Sequence, residues 1–178
     1  MGAYRARDLL LPPNLVSLLR VPLAVVFPFS VEQPLLAAGV LSLAGVSDVV
    51  DGYLARKNGQ ATPTGAVVDP ITDKLFVGVV VATLLVAGRL PIWGVPLLAA
   101  RDIGELPLVA WWGFSRHHRR RRAEHPRANF PGKLATTLQF ATVMLALLAP
   151  SWVAPLLVAT GAAGILAALT YVQRELAR

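Results

Sequence analysis

The chain has 178 residues, 55% of them hydrophobic and 15% charged. A soluble domain carries about 25% charged residues, so the composition excludes an ordinary water-soluble fold, and the length admits several membrane spans of ~20 residues. The formal net charge of +7, with arginine dominant, points on so apolar a chain to cytoplasmic loops and anionic lipid rather than to nucleic acid, and the lack of cysteine excludes disulfides and thiolate metal sites.

In residues 1–13, Arg5, Arg7 and Asp8 mix with Leu9 to Leu11. This reads as a short interfacial segment at the cytoplasmic surface, or as a frayed terminus. Asn14 to Phe29 is the first predicted span, kept as mature protein because no small-residue cleavage site follows it. Asn14 is placed to cap its start, Pro22 to kink it, and Arg20 is a buried or snorkelling cation. After an outer turn, Leu35 to Ala55 is span two, with Asp48 and Asp51 near its end. Arg56 to Thr64 is polar, with Asn58-Gly59 as a turn signal.

Ile71 to Ala87 is span three, opened by Asp69, Pro70 and Asp73. Ile92 to Phe114 is span four and carries Arg101, Asp102 and Glu105. A basic loop, Arg116 to Arg127, precedes span five, Lys133 to Leu148, and span six, Trp152 to Tyr171. Trp111, Trp112 and Trp152 read as interfacial anchors. His117, His118 and His125 lie in the basic loop without an acid cluster and are not read as metal ligands.

The expected fold is an all-α integral membrane protein of six transmembrane helices with a short N-terminal interfacial segment. A single domain is expected: residues 1–13 interfacial, 14–171 the bundle, 172–178 a cytoplasmic tail. Arg5, Arg7, Arg56, Lys57, the arginines of the 116–127 loop, Arg174 and Arg178 fall on one side of such a plan, and Arg89 on the other. The positive-inside rule makes the rich side cytoplasmic. The expected location is a bacterial-type inner membrane, with the acids near its cytoplasmic face.

The chemistry concentrates in Asp48-Val-Val-Asp51-Gly52-Tyr-Leu-Ala55-Arg56, then eight residues, then Gly65-Ala-Val-Val-Asp69-Pro-Ile-Thr-Asp73. Spacings of three and four put each acid pair on one helical face. Carboxylates in apolar helices require cations, and hard divalent ions suit oxygen ligands. A pair of such ions ~3.5–4 Å apart clamps a phosphoryl group. Gly52 and Gly65 remove side chains beside the acids, and Arg56 is within reach of phosphate oxygens. Taken singly, these glycines read as helix-packing positions and each aspartate as a proton relay or structural acceptor. A small ion or proton transporter using the buried acids is the competing reading from another class; a structural membrane subunit is a third.

Taken together, the residues match the signature D-x2-D-G-x2-A-R-x8-G-x3-D-x3-D, and by it the chain is identified as a member of the CDP-alcohol phosphotransferase (CDP-alcohol phosphatidyltransferase) family. The resemblance implies transfer of a phosphatidyl group from CDP-diacylglycerol to an alcohol acceptor, with release of CMP. It implies that Asp48, Asp51, Asp69 and Asp73 bind two magnesium or manganese ions, and that Asp73 is the general base. Gly52, Ala55, Arg56 and Gly65 match positions lining the CDP site. Six transmembrane helices and a homodimer are also implied.

Pro13-Asn14-x-x-Ser17-x-x-Arg20 resembles the opening of bacterial phosphatidylglycerophosphate and cardiolipin synthases, which places Asn14 and Ser17 with the nucleotide site. Gly132-Lys133-x-x-Thr136-x-x-Gln139 is similar to a segment of the same members. Lys133 then binds an anionic acceptor or marks the membrane boundary. Arg101 binds an acceptor phosphate or forms an internal pair with Glu105. Glycerol 3-phosphate is the acceptor expected first, phosphatidylglycerol second, inositol phosphate third.

Overall fold

Pro22 sets the first feature of the architecture. Its ring nitrogen carries no hydrogen, so the Leu18 carbonyl lacks its usual donor and the helix divides at Leu19. The computed structural model describes residues 6–58, 62, 64–104 and 130–176, and no strand occurs among them. A 3-10 helix, Ala6–Leu10, leads into α1 (Pro12–Leu18), α2 (Arg20–Ser30), α3 (Pro34–Lys57) and α4 (Gly65–Val86). Then follow α5 (Gly94–Leu98), α6 (Phe130–Leu148), a 3-10 turn at Pro150–Trp152, and α7 (Val153–Leu176). Residues 100–104 are also helical.

The break at Leu19 is slight. Leu19 keeps right-handed helical angles, and the Leu23 N–H still donates to its carbonyl at 3.3 Å. Pro12–Ser30 therefore runs as one 19-residue stretch. Among the described residues it is one of four helices long and apolar enough to cross a membrane, with Pro34–Lys57, Pro131–Leu148 and Pro150–Thr170. Their apolar surface faces outward as well as inward: Phe29 and Leu35 are each 83% exposed, which suits hydrocarbon rather than water. α4 has the length, 22 residues, but carries Asp69, Asp73 and Lys74.

Two expected boundaries shift. α4 starts at Gly65, not after Pro70, so both its acids are helical. The Gly65 N–H donates to the Thr62 hydroxyl at 3.1 Å, and the Thr64 carbonyl accepts from Val67 and Val68. Pro70 then costs only the bond to the Ala66 carbonyl. Asn14 does not cap α1: the helix begins at Pro12, and Leu11 holds the cap position. The continuation of span four past residue 104, with Glu105, lies outside the described residues. So do Gly59, Trp111, Trp112, the Arg116 to Arg127 loop with its histidines, Asn129, and the termini at residues 1–5 and 177–178.

The chain divides into two compact units, Met1–Arg89 and Leu90–Arg178. In the first, α1 and α2 pack against both α3 and α4. Phe27 of α2 meets Phe76 of α4 edge to face, with centroids 6.2 Å apart. Such a pair contributes about 0.5–1.5 kcal/mol beyond its burial.

In the second unit, α6 lies along α7, and the Thr142 and Thr160 hydroxyls hydrogen-bond between them at 2.8 Å. Small residues bring α7 close to the segment before residue 104. A β-carbon on Gly161 would stand 2.7 Å from Leu97 Cδ2, and one on Gly164 2.8 Å from the Arg101 backbone nitrogen. Close approach of this kind replaces the hydrophobic drive that is absent between helices in lipid. At the break between α5 and residue 100, the Gln139 amide of α6 donates to the Leu98 carbonyl at 3.0 Å.

Candidate active site

The acids of the first unit converge on one cation. Asp48 and Asp51 lie three residues apart toward the C-terminal end of α3, and Asp69 lies on the second turn of α4. One carboxylate oxygen from each of the three comes within 4.8 Å of the others. Between them sits the guanidinium of Arg20, the first residue of α2. Its Nη2 donates to Asp48 Oδ1 at 2.9 Å and to Asp51 Oδ2 at 2.6 Å, and its Nη1 donates to Asp69 Oδ1 at 2.8 Å. Arg20 is 1% exposed, whereas the side chains of Asp48 and Asp69 are about half exposed. The cluster is thus closed on the Arg20 side and open on the other.

Ser17 completes the closed side. Its hydroxyl donates to the same Asp51 oxygen at 2.7 Å. Ser17 and Arg20 are three residues apart across the Leu19 break, so they present to one face. Asp73 is half-buried one turn further along α4, on the face of Asp69, and lies outside the group of three.

Asn14 anchors the entrance of α4. It is buried, and its Nδ2 donates to the Asp8 carbonyl at 2.6 Å. The Thr64 hydroxyl donates to an Asp8 carboxylate oxygen at 3.2 Å. The first 3-10 segment is therefore tied to the start of α4, about one turn before Asp69. Gly65 is small for a reason in this packing: a β-carbon there would stand 2.5 Å from Asn14 Oδ1. Gly52 is small for another. The Arg56 guanidinium folds back over it, with Nη1 3.3 Å from where its β-carbon would be. Arg56 is exposed and Ala55 half-buried.

Arg101 and Lys133 belong to the second unit. Arg101 donates to the Thr136 hydroxyl of α6, and Lys133 is exposed one turn earlier on that helix. Thr136 and Gln139 therefore do share a face of α6, the one toward residues 98–101.

Sequence reasoning left Arg20 as a lone cation and passed over Asp8. For Arg20 the signal was present: a buried arginine needs carboxylates, and Ser17 and Arg20 share a helical face. Nothing in the sequence pointed to Asp8, whose partners are fixed by packing.

The profile of the family described as CDP-alcohol phosphatidyltransferase matches residues 10–172. The chain belongs to the CDP-alcohol phosphatidyltransferase family. A cardiolipin synthase (CMP-forming) of Streptomyces coelicolor is 34% identical over 154 residues, covering 81% of this chain and 69% of that protein. A probable cardiolipin synthase (CMP-forming) of Drosophila melanogaster is 31% identical over 156 residues, 79% of this chain and 48% of that protein. A CDP-diacylglycerol–glycerol-3-phosphate 3-phosphatidyltransferase of Pseudomonas fluorescens is 41% identical over 78 residues, 41% of this chain and 40% of that protein. The chain thus spans about half the length, or less, of the last two relatives.

Of the signature residues, Asp48, Asp51 and Asp69 gather in space, and Gly52 and Gly65 lie against Arg56 and Asn14.

Proposed function

We propose that this protein is a multi-pass membrane enzyme that transfers the phosphatidyl group of CDP-diacylglycerol to an alcohol and releases CMP. The observation that carries the reading is the convergence of Asp48, Asp51 and Asp69, from two helices, inside the family signature. Their donor set fits hard divalent ions: carboxylate oxygens only, gathered within 4.8 Å, with half-exposed sides on Asp48 and Asp69. Asp48, Asp51, Asp69 and Asp73 are the residues that would hold a magnesium or manganese pair. Bound there, such ions supply Lewis-acid stabilisation of charge on the diphosphate.

The chain's own groups do the rest. Asp73, outside the gathered three, takes the proton of the acceptor hydroxyl. The acceptor oxygen bonds to the lipid-bearing phosphorus while the bond to the CMP phosphate oxygen breaks, in line, and CMP leaves with that oxygen. Arg56, exposed beside Gly52, binds a phosphate of the nucleotide. Ala55, Gly65, Asn14 and Ser17 shape the nucleotide side of the site; Asn14 and Ser17 act through the chain positions they hold.

Counting Gly65–Val86 and the segment from Ile92 as spans beside the four apolar helices gives the six-span plan, and by the positive-inside rule the arginine distribution supports a site near the cytoplasmic face of a bacterial-type membrane. A homodimer is the expected assembly.

The acceptor carries a glycerol hydroxyl. Glycerol 3-phosphate is one candidate, with Arg101 and Lys133 as its anion contacts. Phosphatidylglycerol is the other: of the relatives compared, three named cardiolipin synthase align over about four-fifths of this chain and two more so named over 51%, against 41% and 51% for those named for the glycerol 3-phosphate reaction. Competition decides. Purified protein is offered CDP-diacylglycerol with glycerol 3-phosphate, phosphatidylglycerol, inositol phosphate or serine, and the lipid product is identified. Cardiolipin as the main product supports the second acceptor, phosphatidylglycerophosphate the first, and transfer to none of them contradicts the reading.

A further inference from the structure

We propose that Arg20 is a positioning residue, a built-in counter-cation that holds the acid cluster together when divalent ions are absent and competes with them when they bind. The inference rests on the reading above, that the acids bind divalent ions.

Three observations carry it. First, the guanidinium bonds to all three gathered carboxylates at 2.6–2.9 Å, one on Asp48, one on Asp51 and one on Asp69. Second, both terminal amino groups are committed to the acids, while the buried Nε has no hydrogen-bond partner among the described residues. The side chain is placed to serve the carboxylates at the expense of its own remaining donor, which is costly in a buried position. Third, the guanidinium enters from the buried side, and Asp48 and Asp69 keep about half of their side-chain surface open on the other.

The physical logic follows from charge. Asp48, Asp51 and Asp69 carry three negative charges into an apolar bundle. Without a cation their repulsion would spread α3 from α4. Arg20 cancels one charge and, through its planar fork, fixes the relative placement of the three groups. It also ties up one oxygen of each carboxylate and adds a positive charge beside any incoming ion. The same residue therefore keeps the ion-free site assembled and weakens the affinity of that site for cations. Ser17, bonded to the Asp51 oxygen that Arg20 also uses, steadies the arrangement. Release and exchange of the ions leave the bundle folded, because the counter-charge is covalently attached.

Two readouts test this on the purified full chain in detergent, neither of them turnover. Mn2+ binding is followed by electron paramagnetic resonance, and the melting temperature is measured in EDTA and in Mg2+. Arg20→Gln is expected to bind Mn2+ about tenfold more tightly than wild type, a coupling within the usual range between linked sites. Its melting temperature is expected to fall in EDTA and to recover in Mg2+ by a larger shift than wild type shows. Arg20→Lys keeps the charge but loses the fork, so it falls between the two; it carries the test if Arg20→Gln fails to fold.

Equal Mn2+ affinity and equal Mg2+ shifts in wild type and variant overturn the inference while leaving the divalent-ion reading standing. Weaker Mn2+ binding in the variants also overturns it, since Arg20 would then assist the ions. No Mn2+ binding to wild type overturns both.

Discussion

Asn14 Oδ1 occupies the space in which a β-carbon on Gly65 would stand, 2.5 Å away. Because Asn14 is buried and held to the Asp8 carbonyl, it has little room to yield. Gly65→Ala is therefore expected to destabilise the protein by about 1–3 kcal/mol, the usual cost of overpacking. Removing the obstacle should return part of that: in an Asn14→Ala background the same change costs less, a non-additivity expected for residues in contact. Melting curves of the four proteins in the cycle check it, and additive shifts would refute the clash.

Gly164 and Gly39 form a contrasting pair. At Gly164 an added β-carbon meets the Arg101 backbone nitrogen at 2.8 Å, and at Gly39 it meets nothing within 4 Å. Gly164→Ala should lower the melting temperature, at a cost on the order of 1–3 kcal/mol. Gly39→Ala should raise it, by about 0.5–1 kcal/mol of helix propensity. Thermal unfolding in detergent reads both, and equal effects would show that α7 is not held close to residues 100–101.

Gly52 matters through Arg56. Its missing side chain lets the guanidinium lie 3.3 Å from the would-be β-carbon. Gly52→Ala displaces that group, so KM for CDP-diacylglycerol is expected to rise several-fold with a smaller change in kcat. The direction follows if Arg56 binds donor phosphate in ground and transition states alike. In an Arg56→Ala background the Gly52 change should add almost nothing. Steady-state kinetics of the two single variants and the double variant decide it.

Asp73 is assigned the role of base in addition to its place among the ion-holding acids. Asp73→Asn is expected to lower kcat by about 10²-fold or more, as for loss of a general base. Binding of CDP-diacylglycerol should survive in part. Turnover like that of wild type would remove Asp73 from the role of base.

The acid motif was legible because its chemistry is written in spacing. Asp48 with Asp51, and Asp69 with Asp73, declare shared helical faces whatever surrounds them. The weakness at Pro22 was legible for a similar reason: a missing N–H has a fixed local consequence. Pro70 shows the limit of that rule. It looked like the opening of a helix, yet Thr62 and Thr64 satisfy the first turn five residues earlier.

Arg20 and Gly52 mark what spacing cannot say. Which acids Arg20 meets depends on how α1 and α2 lie against α3 and α4. Nor does spacing say that the Arg56 guanidinium lies beside Gly52. Partners across elements are set by packing, which a local pattern does not encode.

The central claim is that the carboxylates on α3 and α4 serve phosphatidyl transfer through divalent ions. Its most direct measurement is CMP release from CDP-diacylglycerol by the purified protein in detergent, with a glycerol-bearing acceptor, in Mg2+ or Mn2+ and in excess EDTA, for wild type and Asp51→Asn. The account expects CMP release by wild type with either ion, none in EDTA, restoration when the ion is returned, and a loss of about 10²-fold or more in the variant. Undiminished release in EDTA, or by Asp51→Asn, would contradict it.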